Sequence, residues 1–256
     1  MADRKQILWG ITDDEDRLFL SKMCDIADRS VDSYKVMFSR FLNPGQRMLV
    51  ESRMTDDFQV GFFGGYDDAE RTVAAFGETM EESSYPICAV KIESRSKKSF
   101  SHRDYLGSVL SLGIKREHIG DILVKDTDAV MFLTEEIADF VMMNLTRIAS
   151  ATVKLSIMDD LSEFETQRRF KETDITVSSM RLDCVLSAVT GRSRSQSAAL
   201  IEEGLCTLNY NMVKNVRTQI KDGDIISVRG FGKCIIETDN TLTKKGRIHI
   251  RAKKYI

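Results

Sequence analysis

Apolar residues recur at helical spacing through the first 55 residues, which predicts two helices before the break at Asn43-Pro44-Gly45. A short strand is predicted over residues 58–63, and Asp67 and Asp68 are placed to open a helix that runs through Phe76. Residues 1–76 are therefore expected to form a helical region with one strand. The apolar positions of the two helical stripes are Leu18, Phe19, Leu20, Met23, Ile26 and Ala27, then Val36, Met37, Phe38, Phe41 and Leu42.

Strand and helix patterns alternate over residues 77–165. The predicted elements are a strand over 85–92, a helix over 102–112, strands over 121–124 and 129–133, a helix over 134–148 and a strand over 151–157. Their order, βαββαβ, is that of the ferredoxin-like unit. Both RNA-binding domains and enzymes use this topology, so it says little about function. The base-stacking aromatics of the RNA-recognition version are not evident, which argues against that mode.

A third pattern occupies residues 166–256. The spacing of Leu182, Val185, Leu186 and Val189 predicts one apolar helix face. Ser193, followed three residues later by Gln196, is typical of a capping box, and Gly204 is a suitable end for the second helix. Short strands are predicted over 206–209, 212–213 and 225–229. The whole chain is therefore assigned to the α+β class, with a helical first region, a ferredoxin-like centre and a small α+β domain.

Charge is distributed unevenly along a chain whose formal net charge is only −2. Residues 168–256 carry 17 basic and 9 acidic side chains, whereas residues 1–167 carry 20 basic and 30 acidic ones. A basic segment of this size favours a polyanionic partner such as nucleic acid or anionic lipid. The basic segment contains no amphipathic helix of the apolar-and-basic kind, which disfavours the membrane surface.

Targeting and cofactor signals are missing from the sequence. The first residues lack the apolar core of a signal peptide and no run of 18 apolar residues occurs, so a cytoplasmic protein is expected. The five cysteines show no C-x-x-C spacing and are interpreted as structural thiols. The three histidines are far apart in sequence, and no phosphate-binding or methyl-donor loop is present. We expect no metal, no cofactor and no small-molecule substrate.

A stretch of about fifty residues near the carboxyl end resembles the S4 RNA-binding domain. The matching residues are Arg181-Leu182-Asp183, Leu186, Ser193-Arg194-Ser195, Ala198, Leu200-Ile201, Gly204, Leu208-Asn209, Val213-Lys214 and Gly223-Asp224 with Ile226, Val228 and Arg229. Tyr210 departs from the pattern, because the family usually has a glycine in this turn.

Further motifs extend the resemblance to nearly the full length, and with them the chain is similar to bacterial YlmH-type proteins. The motifs are Phe62-Phe63-Gly64-Gly65-Tyr66, Glu70-Arg71, His102-Arg103-Asp104, Gly113-Ile114, Arg116, Gly120-Asp121-Ile122 and Arg229-Gly230-Phe231-Gly232. The resemblance implies a cytoplasmic RNA-binding protein linked to the large ribosomal subunit and to quality control of stalled translation. Ribosomal RNA or tRNA would be its ligand, and a monomer is expected.

Candidate RNA contacts cluster in the S4-like stretch. Arg192, Arg194 and Lys214 are the principal ones, since arginine forks beside a helix N-terminus suit phosphate oxygens, although a solvated basic face would have the same composition. Arg181 can face RNA or pair with Asp183 or Glu202. Gln196 and Asn209 also have structural uses as capping-box partner and turn residue. The full set is Arg181, Arg192, Ser193, Arg194, Gln196, Asn209, Lys214, Arg229 and Lys233.

Three other basic segments are possible additional contacts. One is the loop with Arg95, Lys97 and Lys98, which can equally be solvated. His102 and Arg103 open a predicted helix, where a cap with surface charges is the alternative. The last is a terminal strand that has Arg247 and Arg251 on one face and apolar residues on the other.

Catalysis is not expected. Arg181-Leu182-Asp183 resembles part of the pseudouridine synthase motif, whose aspartate is the nucleophile, but Cys184-Val185-Leu186 follows on an apolar stripe in place of the synthase loop. Asp183 is therefore interpreted as structural. The alternative is an RNA-modifying enzyme, of the pseudouridine synthase or methyltransferase type, that uses the S4 domain for substrate delivery.

Overall fold

The computed structural model divides the chain into two compact units, Met1–Gln167 and Arg168–Ile256. It describes residues 4–78, 81–94, 99–162, 164, 170–238, 241–243 and 246–255. Helices and strands mix in both units, and the α+β class predicted from the sequence is confirmed.

The elements of the first unit are α1 Arg4–Ile7, α2 Asp14–Ser33, β1 Met37–Leu42, α3 Pro44–Met54, β2 Val60–Phe63, β3 Thr72–Phe76, β4 Ile87–Ser94, α4 His102–Leu110, β5 Ile119–Lys125, β6 Asp128–Thr134, α5 Glu135–Asn144, β7 Arg147–Ile148 and β8 Ala151–Ile157. Those of the second unit are β9 Phe170–Val177, α6 Leu182–Thr190, α7 Arg194–Glu202, β10 Cys206–Leu208, β11 Asn211–Met212, β12 Ile225–Val228, β13 Gly232–Glu237 and β14 Ile248–Tyr255.

A three-stranded antiparallel sheet of order β1-β3-β2 corrects two predictions in the first region. The segment predicted as the second helical stripe is β1, and the segment predicted as a helix ending at Phe76 contains β3. β3 is buried on both faces: Ala74 and Phe76 belong to the core under α2 and α3, whereas Val73 and Ala75 pack toward the second sheet. A strand buried on both faces has no apolar-polar alternation, and its apolar run resembles a helix face.

The second sheet confirms the predicted βαββαβ order. Its strands lie in the order β5-β6-β4-β8-β7 and are antiparallel throughout, with α4 and α5 as the two helices of the unit. This is the arrangement of the ferredoxin-like split βαβ unit. One boundary differs, because α5 ends at Asn144 and residues 147–148, predicted as helix, form β7.

The second unit is a six-stranded antiparallel sheet of order β11-β10-β12-β13-β14-β9, with α6 and α7 next to one another. The predicted helices and short strands are present. Leu182, Val185 and Leu186 of α6 and Ile201 of α7 are fully buried in the same core as the inward residues of the sheet. β9 was not predicted, and it pairs over its entire length with β14. The unit therefore has one helix-covered face and a second sheet face on the other side.

Candidate nucleic-acid interface

The start of α7 is built as the sequence predicts. The Ser193 backbone N–H donates to Gln196 Oε1 at 3.0 Å, and the Gln196 N–H donates to Ser193 Oγ at 3.2 Å. This capping box satisfies backbone donors that the first helical turn otherwise leaves open. The side chains of Ser193 and Gln196 thus have a structural use, and their contact with RNA stays a prediction.

Asp183 joins the two helices of the second unit. Arg181 donates to both carboxylate oxygens, each at 3.0 Å, and Arg194 Nε donates to Oδ2 at 2.9 Å. The carboxylate side chain is only 6% exposed, whereas that of Arg194 is 55% exposed. Because the Asp183 carboxylate contacts Arg194 at Nε and the Arg194 side chain stays largely exposed, the terminal amino groups of this guanidinium can reach a phosphate. Arg194 thus stabilises the contact between α6 and α7, and part of its side chain stays accessible to solvent.

Burial raises the pKa of Asp183, but the hydrogen bonds from Arg181 and Arg194 outweigh it, so that this pKa lies below its usual value. The carboxylate is therefore ionised at neutral pH and accepts all three N–H bonds. An ionised, arginine-bound carboxylate suits the structural role that the sequence suggested for Asp183.

The loop after β11 lies beside the first turn of α6. The Leu182 and Asp183 N–H groups donate to the carbonyls of Thr218 and Val216, at 2.8 and 3.2 Å. This loop carries Lys214 and also Arg217, a residue that the sequence analysis did not select; both are exposed. The sequence feature that could have indicated Arg217 is the composition of this loop, which has two cations and no acid over residues 213–219.

Five cations therefore come from three segments that are joined at Asp183. Arg181 and Arg194 donate to its carboxylate, and the loop with Lys214 and Arg217 accepts from its backbone N–H. We call them the basic face, and they are Arg181, Arg192, Arg194, Lys214 and Arg217. Within the part of the chain that the structure describes, Asp183 is the one acidic side chain that pairs with them. The face consequently keeps a net positive charge.

Asn209 has both ends of its side-chain amide engaged within the fold. Its Nδ2 donates to Asp224 Oδ1 at 2.8 Å, and its Oδ1 accepts from the Ile225 N–H at 2.9 Å. Asn209 and Tyr210 have φ of +48° and +66°, as a two-residue type I′ hairpin turn requires. Tyr210, which stands where the S4 family usually has glycine, thus adopts a backbone conformation that favours glycine.

Arg229 and Lys233 lie on the sheet face opposite α6 and α7, because the adjacent Val228 and Cys234 belong to the core beneath these helices. They line a shallow cavity of about 540 Å³ together with Thr207 and Ser227. The Lys233 ammonium lies 4.6 Å from the ring centroid of Tyr255 and 5.3 Å from that of Tyr210. Lys233 is therefore held between two aromatic rings.

The terminal strand carries Arg251 and Lys253 on one face, as predicted, but both pair with acids of neighbouring strands. Arg251 pairs with Asp174 at 3.0 Å, and Lys253 pairs with Glu237 at 2.7 Å. Arg247 donates to the Thr176 carbonyl at 2.6 Å. The charges of Arg251 and Lys253 are thus compensated within the protein, although the sequence pattern predicted a basic face. Contact of Arg247 and Arg251 with RNA stays a prediction.

The remaining candidates belong to the first unit. Arg95, Lys97 and Lys98 lie outside the described residues. His102 and Arg103 are exposed in the first turn of α4, where Asp104 accepts from the Ser101 N–H at 2.8 Å. Partial desolvation, assisted by the Arg116 guanidinium, lowers the pKa of His102. Its imidazole is therefore mostly neutral at pH 7 and adds little charge for a phosphate.

Several motif residues that carried the family resemblance meet in one polar network between the two sheets of the first unit. Asp121 accepts from Tyr66 Oη at 2.8 Å and from the backbone N–H groups of Glu70 and Arg71 at 2.6 and 3.2 Å. The Arg71 guanidinium donates to the carbonyls of Ile119 and Phe41 at 2.9 and 3.1 Å. Burial lowers the pKa of Arg71 to about 10, which still leaves it charged at neutral pH. These side chains hold β1, β3 and β5 together.

Known proteins place the chain in a family. The family model described as "Putative RNA-binding domain in YlmH" matches residues 81–162. Ribosome-associated protein quality control protein P2 of Bacillus subtilis (strain 168) is 33% identical over 240 residues, which cover 91% of this chain and 93% of that protein. The chain belongs to the YlmH family. The resemblance to YlmH-type proteins stated from the motifs is thereby confirmed.

A solved structure of the YlmH family has a similar fold. The cell division protein ylmH from Streptococcus pneumoniae superimposes with a TM-score of 0.52 at 23% sequence identity. The match covers 60% of this chain and 97% of that structure. At this identity the likeness concerns the fold alone.

None of the helices in the described ranges is long and apolar enough to cross a bilayer. No group of three or more His, Cys, Asp or Glu side chains suited to holding a metal ion was found among the same residues.

Proposed function

We propose that this YlmH-family protein binds structured RNA of the ribosome through the basic face of its second unit, which we assign as an S4 domain. Ribosomal RNA or tRNA on the large subunit is the proposed ligand, and quality control of stalled translation the proposed process. The protein would act in the cytoplasm, as a monomer and without a catalytic step. The proposal extends to this chain what the name of the Bacillus relative says of that protein.

The observation that carries the proposal is the concentration of five cations on three segments that are joined at one buried acid, Asp183. Asp183 accepts bonds from Arg181 and Arg194, and the Arg194 side chain stays 55% exposed. Arg192, Lys214 and Arg217 are exposed cations of the same three segments. Such a surface suits the regularly spaced phosphates of an A-form helix, whose base edges are hidden in a narrow major groove. Recognition by shape and backbone follows from this geometry.

Salt dependence of binding tests the proposal directly. The full chain is titrated against a ribosomal RNA hairpin at several salt concentrations, alongside Arg192→Ala, Arg194→Ala and Lys214→Ala. Each lost phosphate contact should reduce the magnitude of the log-affinity against log-salt slope by roughly 0.7 to 0.9. Arg29→Ala, an exposed arginine on α2, is the matched control and should leave the slope unchanged.

Association with the ribosome is tested by sedimentation with purified large or small subunits. We expect the wild-type protein to travel with the large subunit and the three basic-face variants to travel with it less. Unchanged hairpin affinity in all three variants would remove the basic face from the proposal. Equal recovery with both subunits would contradict the large-subunit assignment.

Pseudouridine formation by the pure protein tests the proposed absence of catalysis. Mass spectrometry of bulk RNA treated with wild type or Asp183→Asn should show no difference. More pseudouridine with the wild-type protein would favour the enzyme alternative.

A further inference from the structure

The open face of the second unit's sheet carries one residue from each of five strands in a single cross-strand line. The pairing of β10 with β12 and of β12 with β13 sets Thr207 beside Ser227 and Ser227 beside Lys233. The β13–β14 register continues this line to Tyr255, and Tyr255 pairs with Phe170 of β9. We call this line the aromatic row, and it consists of Thr207, Ser227, Lys233, Tyr255 and Phe170.

Three side chains of the aromatic row, Lys233, Tyr255 and Phe170, contact one another across the strands. The Phe170 and Tyr255 rings meet edge to face with centroids 4.9 Å apart, and the Lys233 ammonium lies over Tyr255. The preceding or following residues of the same strands, such as Cys206 and Cys234, lie in the core beneath the helices. The row is therefore on the sheet face opposite α6 and α7.

Charge distinguishes the aromatic row from the rest of this face. The neighbouring cations of β14, Arg251 and Lys253, pair with Asp174, Glu172 and Glu237. The row itself contains a lysine and no acid, and the exposed Arg229 lies with Lys233 at the shallow cavity beside Thr207 and Ser227. A lysine in the row and an exposed arginine beside it favour a polyanion along this line.

We propose that the aromatic row binds a segment of single-stranded RNA, with bases stacked at Tyr255 and Phe170 and phosphates near Lys233 and Arg229. Aromatic side chains on an open sheet face take unpaired bases, because a base inside a duplex has no free face to stack. At the usual strand spacing the row spans roughly 19 Å, which accommodates several nucleotides. The inference rests on the proposed function in taking RNA as ligand, but it assigns a second surface, opposite the helices.

Fluorescence anisotropy of the full chain with a labelled oligouridine of about ten nucleotides tests the inference; this length lies within the site size of sheet-based single-strand binders. Tyr255→Leu and Phe170→Leu should each weaken binding on the order of 5- to 150-fold, the range for loss of one base–aromatic stack. Tyr255→Phe keeps a ring and should bind nearly as the wild type does. Arg251→Ala is the matched control for charge on the same face, and its effect should be smaller than that of Lys233→Gln.

A ribosomal RNA hairpin, titrated in parallel, separates this inference from the proposed function. Oligouridine binding that Tyr255→Leu leaves unchanged, or hairpin binding with no oligouridine binding, overturns the aromatic row alone. Oligouridine binding without hairpin binding overturns the basic face and leaves the row in place. If Tyr255→Leu lowers the melting temperature, Lys233→Gln decides: it should weaken oligouridine binding and reduce its salt slope by roughly 0.7, and an unchanged slope would overturn the inference.

Discussion

Replacing Asp183 by asparagine should destabilise the second unit without changing its shape. The carboxylate now accepts three N–H bonds, two from Arg181 and one from Arg194, at 2.9 to 3.0 Å. An asparagine offers one oxygen, so it can satisfy one or two of these donors and turns an amide N–H₂ toward the others. Bonds to charged groups contribute about 1.5–3 kcal/mol each when buried.

The loss at Asp183 is smaller than this range for each bond, because the Arg181 side chain is 30% exposed and water can replace part of the hydrogen bonding that its guanidinium loses. The expected net loss is about 1–3 kcal/mol in the free energy of unfolding of the second unit. For a unit of this size, each kcal/mol corresponds to a fall of roughly 4–8 °C in melting temperature. Circular dichroism melts and urea titrations of the full chain measure the change.

Asp174→Asn is the matched control, because Asp174 also accepts a bond from an arginine but lies on the exposed sheet face. We expect its melting temperature to stay close to that of the wild type. If Asp183→Asn melts as the wild type does, the buried carboxylate does not hold the two helices together. Asp183 would then not be the residue that positions Arg181 and Arg194 in the basic face.

Three further predictions concern charge, pH and packing. Arg217→Ala should reduce the magnitude of the salt slope for hairpin binding by roughly 0.7–0.9, and an unchanged slope would remove this residue from the interface. The folded pKa of Asp183 lies below its unfolded value, so the stability that its charge contributes is complete above the unfolded pKa of about 3.9 and is lost as the pH falls through the folded pKa. The difference in the free energy of unfolding between wild type and Asp183→Asn, measured by urea titration, should therefore shrink on acidification. A difference that stays constant with pH would contradict the lowered pKa. Gly65→Ala should destabilise the first unit by more than about 1 kcal/mol, since φ is +100° and a Cβ would lie 2.3 Å from the Phe132 ring. Gly107→Ala is the control: its Cβ would meet no atom within 4 Å, so urea titration should show a neutral or stabilising change. Equal effects of the two substitutions would contradict the packing argument.

Local periodicity was sufficient for most of the ferredoxin-like centre and for the helices of the second unit. In both places each element buries one face, so the apolar residues repeat with the period of the element, as in α6. It failed for β1 and β3, whose apolar runs are short and lie between two cores. It also failed for β9, where Lys171, Glu172, Thr173 and Asp174 are all exposed and the strand is defined by its pairing with β14.

The candidate site was predictable in its residues and less so in their partners. The basic residues around α7 follow from composition and the capping box, and the structure adds Arg217 because backbone bonds bring its loop to α6. The compensation of Arg251 by Asp174 was not predictable, since these residues are 77 positions apart and meet only through strand pairing. A basic pattern along one strand therefore does not establish a basic surface.

Pairing of β9 with β14 determines when the second unit can fold during synthesis. β9 is the first strand of this sheet to be made, yet its eight residues pair only with β14, after all the other strands of the sheet have been made. Until then β9 has no partner strand, although the first unit, made earlier, can already have folded. Its exposed charges, Lys171, Glu172 and Asp174, discourage pairing with strands of other chains during this delay. The strand with the most exposed charges is thus also the strand with the longest delay between its synthesis and that of its partner.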